Sequence, residues 1–168
     1  GRVIPNKGAE KALDIFTGFH KEHPRYKLYY LGTVDDGYKG HLKQKAGKNG
    51  IADAVEFLGY RNDVKTYVKK AAALLMCSEN EALGRVTVEA MFYGCPVLGD
   101  NSGGTKELIS DGYNGFLFSS IDEAIAKLSM VVSNDNKKII ANAHDFVKNN
   151  FTEEVYGEKI LSIYKSLL

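Results

Sequence analysis

A chain of 168 residues, 44% hydrophobic and 26% charged, has the composition of a single globular domain with length enough for a real core. Its net charge of +1 excludes nucleic acid as the main partner, because no Lys/Arg excess exists to neutralise a run of phosphates. No apolar run reaches the ~20 residues that cross a bilayer, so contact with a membrane is expected to be peripheral at most.

Helical and strand patterns alternate along the chain. Residues 7–23 place Ala12, Ile15, Phe16 and Phe19 on one face, the pattern of a helix of about four turns. "YKLYYLG" reads as a strand ending at Gly32. The polar stretch 35–50 predicts a loop with a short helix. "AVEFLG" is a second strand closed by Gly59, and "DVKTYVKKA" a short helix with Val64, Tyr67 and Val68 inward. "ALLMCS" lacks polar alternation, as buried parallel strands do. "RVTVEAMFYG" is a helix stopped by Gly94. "CPVLG" is a strand, "GGTKELI" a short helix and "NGFLF" a last strand. Three helical segments follow, at 121–133, 136–150 and 152–168. The two cysteines, Cys77 and Cys95, sit in apolar runs and read as buried reduced thiols of a cytoplasmic protein.

This alternation predicts an α/β fold, a Rossmann-like parallel sheet flanked by helices on both faces. In such sheets ligands bind outside the C-terminal ends of the strands. The loops after Gly32, Gly59, Ser78 and Gly99 should therefore share one rim.

Three motifs fall on that rim. "GRVIPNKG" has no G-K-[ST] and is not a Walker A loop. It offers two cations, Arg2 and Lys7, with Pro5 stiffening the turn between them. Lys7 stands where a helix begins, an unfavourable place for a cation unless an anion sits between it and the free amides. A basic surface turn is an equally good reading of these residues alone. "ENEALGRVTVEAM" carries Glu81 in a loop and Glu89 about one turn into a helix, with Gly84 between them. The amides of Arg85, Val86 and Thr87 form a potential anion site, which a ligand can approach closely at Gly84. Carboxylates beside an anion site make sense when the ligand carries hydroxyls next to phosphates, as a nucleotide sugar does. Two solvated side chains are the plain reading of the pair in isolation. The apolar flank of Glu89 (Val88, Ala90, Met91, Phe92) speaks against it. "DNSGGTKELI" opens a short helix at Gly103 and Gly104, a second place where backbone can approach a ligand. Asp35-Asp36-Gly37 reads as a turn, and His20 and His23 as terminal helix residues rather than metal ligands.

Taken together, Gly1-Arg2…Lys7-Gly8, "VEFLGYRND", Glu81-x7-Glu89, "GCPVLG" and "GGTKE" resemble the C-terminal, donor-binding domain of retaining glycosyltransferases of the GT-B fold, family 4 type. The likeness covers roughly residues 1–118, and its motifs are specific as a set. It implies that residues 1–168 are the nucleotide-sugar-binding half of a longer protein whose N-terminal acceptor domain lies outside them. Arg2, Lys7 and Glu81 are then the expected catalytic groups. Arg2, Lys7 and the amides of Gly84, Arg85, Val86 and Thr87 would grip the donor diphosphate and stabilise the leaving group. Glu89 would hold the ribose hydroxyls and Glu81 the donor sugar. Gly59, Tyr60 and Arg61 would lie near the base, and Gly103 and Gly104 on the sugar side. No carboxylate is assigned as a nucleophile, and neither a metal nor a cofactor is expected. The donor would be a UDP-, GDP- or ADP-sugar, and the acceptor a glycan or lipid-linked glycan in polysaccharide or glycolipid synthesis. Arg85 departs from the apolar residue common at its position and is read as a third cation or a solvated one. The alternatives are a sugar-nucleotide epimerase, a phosphorylase-like enzyme, or a non-catalytic nucleotide-binding module.

Overall fold

The computed structural model describes residues 1–166, apart from the side chain of Lys159. The chain forms five strands and eight α-helices among these residues. In order they are α1 (Ala9–His20), β1 (Leu28–Leu31), α2 (Asp36–Lys48), β2 (Val55–Gly59), α3 (Val64–Lys70), β3 (Leu74–Met76), α4 (Arg85–Phe92), β4 (Val97–Asp100), α5 (Thr105–Leu108), β5 (Phe116–Phe118), α6 (Ile121–Ser133), α7 (Lys137–Asn150) and α8 (Glu153–Ser166). The last helical segment was expected to reach 168; its final two residues lie outside the described ones.

Every strand pairing is parallel. The expected sheet is present in two parts, β1–β2 and β3–β4–β5. Between the C-terminal ends of β1 and β3 stands the N-terminal segment. Its Gly1 nitrogen donates to the Leu31 carbonyl at 3.1 Å, and Val3 bridges Val34 in parallel. On the other side the Ser78 hydroxyl donates to the Asn6 carbonyl, and Gly8 packs on Cys77.

Side-chain alternation along the strands builds two cores. Cys77, Leu98, Phe116 and Phe118 join Leu13, Ile15, Phe16 and Phe19 of α1 and Leu128 of α6. Val97, Leu74, Met76 and Leu117 face the other way, toward Ala90 and Met91 of α4 and Val147 of α7. Helices therefore cover both faces of the β3–β4–β5 sheet, as the alternating pattern predicts. The Tyr30 hydroxyl donates to the Ala9 carbonyl at 2.6 Å and ties the start of α1 to β1.

Two elements differ from expectation. The stretch 35–50 is not a loop with a short helix but one 13-residue helix, α2. Asp35 caps it, accepting from the amides of Gly37 and Tyr38. Only Leu42 and Ala46 are buried along it, one turn apart, so its apolar stripe is too thin to announce a helix. Strand β3 is half-buried rather than buried, whereas all four residues of β4 are buried. β4 has a neighbour on each side in its sheet, whereas β3 borders it. Val64, Tyr67 and Val68 form the inward face of α3 as expected, but only half-buried.

Leu98 is fully buried at the centre of β4. Leu98→Ala should cost about 2–5 kcal/mol in a urea-unfolding measurement, the usual range for a truncation in a core. Cys77 and Cys95 are free and buried, and burial pushes both thiols up to about 12. A thiol held above its ordinary value carries almost no thiolate at pH 8. Both should resist a disulfide reagent at that pH in the folded protein and react once it is unfolded.

Candidate functional site

Three segments meet at the C-terminal rim: the N-terminal segment, the loop after β3 and the loop after β4. The first contributes Lys7, which ends a 3-10 turn at Pro5–Lys7 just ahead of α1. Its Nζ lies 2.7 Å from Glu81 Oε2, 74 residues away in sequence. The Glu81 side chain is 15% exposed and that of Lys7 43%, so the pair is open on the lysine side. The hydrogen bond from Lys7 holds the Glu81 carboxyl below the usual carboxylate range, against the opposing effect of burial. Ser78 and the Gly84 amide add smaller contributions of the same sign.

The loop after β4 locks onto the same place. The Gly104 amide donates to the Glu81 carbonyl at 2.6 Å, and the Ser102 hydroxyl to the Glu79 carbonyl at 2.5 Å. A Cβ on Gly104 would run into the Ala82 carbonyl. The close approach that Gly103 and Gly104 permit is thus to the backbone of the Glu81 loop.

Gly84 starts α4 with φ of 63°, a left-handed conformation that favours glycine. No side chain caps the helix. The amides of Arg85 and Val86 have no protein partner among the described residues, which leaves two donors for an anion. Thr87 does not join them: its amide donates to the Gly84 carbonyl at 2.8 Å, tightening the first turn, and its side chain is wholly buried. The expected three-amide cradle is therefore a two-amide one.

Other expected residues stand on the rim without joining this cluster. Arg2 is exposed, set outward by its neighbour Val3, which is buried. Glu89 is exposed and its carboxylate has no ion pair or hydrogen bond among the described residues, despite its apolar neighbours in sequence; Ala90 and Met91 turn inward while it turns out. Arg85, one turn before it, is exposed as well. Beyond Gly59, whose carbonyl accepts from the Gly32 amide, Tyr60 is 74% exposed. Arg61 is already engaged: Asp63 binds it through two hydrogen bonds of 2.8 Å, and it lies over the Tyr67 ring. Asp35 is a helix cap, and His23 stacks on Phe19.

Lys11, Glu79, Asp100 and Ser102 were not singled out from the sequence. Lys11 Nζ reaches Glu79 Oε1 at 2.5 Å and Asp100 Oδ2 at 3.0 Å. The available signal was spacing: Lys7 and Lys11 are four apart, and Glu79 and Glu81 two apart. A cavity of about 190 Å³ opens beside them, lined in part by Lys11, Glu79, Tyr38 and Cys77. A larger hollow of about 500 Å³ lies at the other end of α4, between Lys65, Phe92, Tyr93 and His144. Volume alone would choose that groove. The paired charges and the free amides choose the rim.

Residues 1–152 match the protein-family model of the glycosyl transferases group 1. A Haemophilus influenzae protein described as an uncharacterised glycosyltransferase is 30% identical over 172 residues, covering 100% of this chain and 47% of that protein. The alpha-1,4-N-acetyl-D-galactosaminyltransferase of Campylobacter jejuni that acts on a diNAcBac-PP-undecaprenol-linked saccharide is 32% identical over 164 residues, 92% of this chain and 45% of the enzyme. Among solved structures, the Anabaena protein HepE in complex with UDP superposes with a TM-score of 0.90 at 26% identity, over 99% of this chain and 47% of HepE. The chain spans about half the length of the curated relatives it matches. By matched family, by parallel α/β architecture and by its rim motifs, the chain belongs to the glycosyl transferases group 1 family, as one half of a GT-B fold.

Proposed function

We propose that this chain is the donor-binding, C-terminal half of a retaining glycosyltransferase that needs no metal or cofactor. The observation that carries the reading is the meeting of Lys7 and Glu81 beside the open N-terminus of α4. A cation, a carboxylate and two free amides at one spot match a ligand with phosphate next to hydroxyls. UDP leads the candidate bases because HepE binds it; GDP and ADP follow.

In this reading the diphosphate lies between Lys7, Arg2 and the amides of Arg85 and Val86. Glu89 accepts hydrogen bonds from the ribose diol, with its free carboxylate turned to solvent for that task. Glu81 accepts from hydroxyls of the donor sugar, and Tyr60 lies near the base. Cleavage of the anomeric C–O bond leaves its electron pair on the diphosphate. Preorganised cations and amides stabilise that charge. The departing phosphate oxygen takes the proton of the acceptor hydroxyl as the new C–O bond forms on the same face, so configuration is retained. The acceptor is a glycan or lipid-linked glycan, held by a second domain, in polysaccharide or glycolipid synthesis. The Campylobacter relative, which acts on such a lipid-linked saccharide, supports that class. The protein works in the cytoplasm, with at most peripheral membrane contact. Among the described residues no helix is long and apolar enough to cross a membrane.

Calorimetry with UDP, GDP and ADP, and with their sugars, tests the reading. Glu89→Ala should weaken nucleoside diphosphate binding by about 1.5–3 kcal/mol, roughly 10- to 150-fold. Glu81→Ala should leave it unchanged or slightly tighter, because Lys7 loses its competing partner, yet weaken the intact nucleotide sugar. Negligible effects of both would return the two glutamates to the solvated surface. The 168-residue chain alone should bind nucleotide weakly and transfer no sugar. Transfer by the isolated chain, detected with a labelled donor, would refute the assignment of acceptor binding to another domain.

A further inference from the structure

Lys11 has no role in the mechanism above, yet it is tied to two acids at the rim. It lies one turn beyond Lys7, and Glu79 lies two residues before Glu81. Two parallel rungs result, Lys7 to Glu81 and Lys11 to Glu79. They are not equivalent. Lys7 is the more exposed cation, and Glu81 is its one acidic partner among the described residues. Lys11 is 28% exposed and also grips Asp100, whose side chain is 12% exposed at the end of the central strand β4. Burial opposes the charge on Lys11, but the hydrogen bonds to Glu79 and Asp100 outweigh it and hold its pKa above the ordinary lysine value. Lys11 therefore stays charged at any working pH, and it joins three elements: α1, the loop after β3 and the end of β4.

A donor diphosphate would compete with Glu81 for Lys7. Once that rung opens, Lys11 is the cation still tied to the loop, beside the Gly104 and Ser102 hydrogen bonds from the loop after β4. Without Lys11, the carboxylates of Glu79, Glu81 and Asp100 would share one rim with no fixed cation among them, and repulsion would push the loop outward. We propose that Lys11 is a positioning residue: by tying Glu79 to Asp100 it keeps the 79–84 loop and the start of α4 seated while Lys7 leaves Glu81 for a donor diphosphate. This rests on the donor site proposed above. Glu81 is thereby freed to receive sugar hydroxyls from a loop that has not moved.

The test uses the full-length protein, with UDP and UDP-glucose as probes, in the wild type and in Lys11→Met, Lys11→Arg and Glu79→Gln. Hydrogen exchange is followed at the amides of residues 80–84, without ligand and with UDP. Lys11→Met should speed exchange there by about tenfold and Glu79→Gln, which loses an exposed partner, by about two- to fivefold, and further when UDP is bound, with the amides of Phe16 and Leu98 unchanged. UDP-glucose affinity should fall about tenfold more than UDP affinity, and Lys11→Arg should restore both readouts. Three results would overturn the proposal: unchanged exchange at 80–84, faster exchange throughout α1 and β4, or equal weakening of UDP and UDP-glucose. The first means the rung holds nothing, the second that Lys11 serves only global stability, and the third that it touches the phosphates itself. A loosened loop in a protein that binds no nucleotide even as wild type would overturn the donor reading and leave the anchor in place.

Discussion

Parallel pairing is the constraint on which the rest of this molecule depends. With β1 and β2 parallel, and β3, β4 and β5 parallel, each connection between paired strands leaves at one rim and must be carried back across a face by a helix. That return buries apolar surface on both sides of the β3–β4–β5 sheet and collects polar, glycine-rich loops at one end. Lys7 and Glu81 are remote in sequence and neighbours in space for this reason alone. The helix starts, with their unpaired amides, come to the same rim for the same reason.

The cluster of Lys7, Lys11, Glu79, Glu81 and Asp100 is electrostatically self-satisfied. Lys7 and Lys11 would repel each other and disfavour the start of α1 if they stood alone. Glu81, Glu79 and Asp100 would repel each other likewise. Interleaving the two sets pairs every one of these charges. Exposed ion pairs of this kind add little stability, because solvent screens them and side-chain entropy opposes them. Their value is geometric. The pair with the more exposed cation, Lys7–Glu81, is the one whose lysine an anion can reach more easily.

Much of this was legible in the amino-acid order. Helix α1 announced itself because a wide apolar stripe recurs every three to four residues, and β4 falls within the strand read at "CPVLG" save for its last residue, Asp100. Gly84 and Gly94 marked the two ends of α4 because their backbone needs left-handed φ. Helix α2 was not legible, since two buried residues in thirteen make no visible period and its cap lay in a sequence that also suits a turn. The half-exposure of β3 was equally hidden, because burial there depends on which strands flank it. At the site, the sequence did not show which groups are already engaged within the protein. Thr87 spends its amide on its own helix, Arg61 is spoken for by Asp63, and the two glycines serve the loop backbone first.

The sequence by itself determined most of the elements, the parallel α/β class and the residue types proposed here for phosphate and hydroxyl. Those follow from local rules: periodicity, caps, glycine at positive φ and the chemistry of single side chains. The tertiary structure decided who pairs with whom. It set Lys7 against Glu81 and Lys11 against Glu79 and Asp100, and left the Glu89 carboxylate and two amides without a partner among the described residues. Such pairings join residues some seventy or more positions apart. No local period records them, because only the packing of α1 beside β3 and β4 brings their side chains within hydrogen-bonding distance.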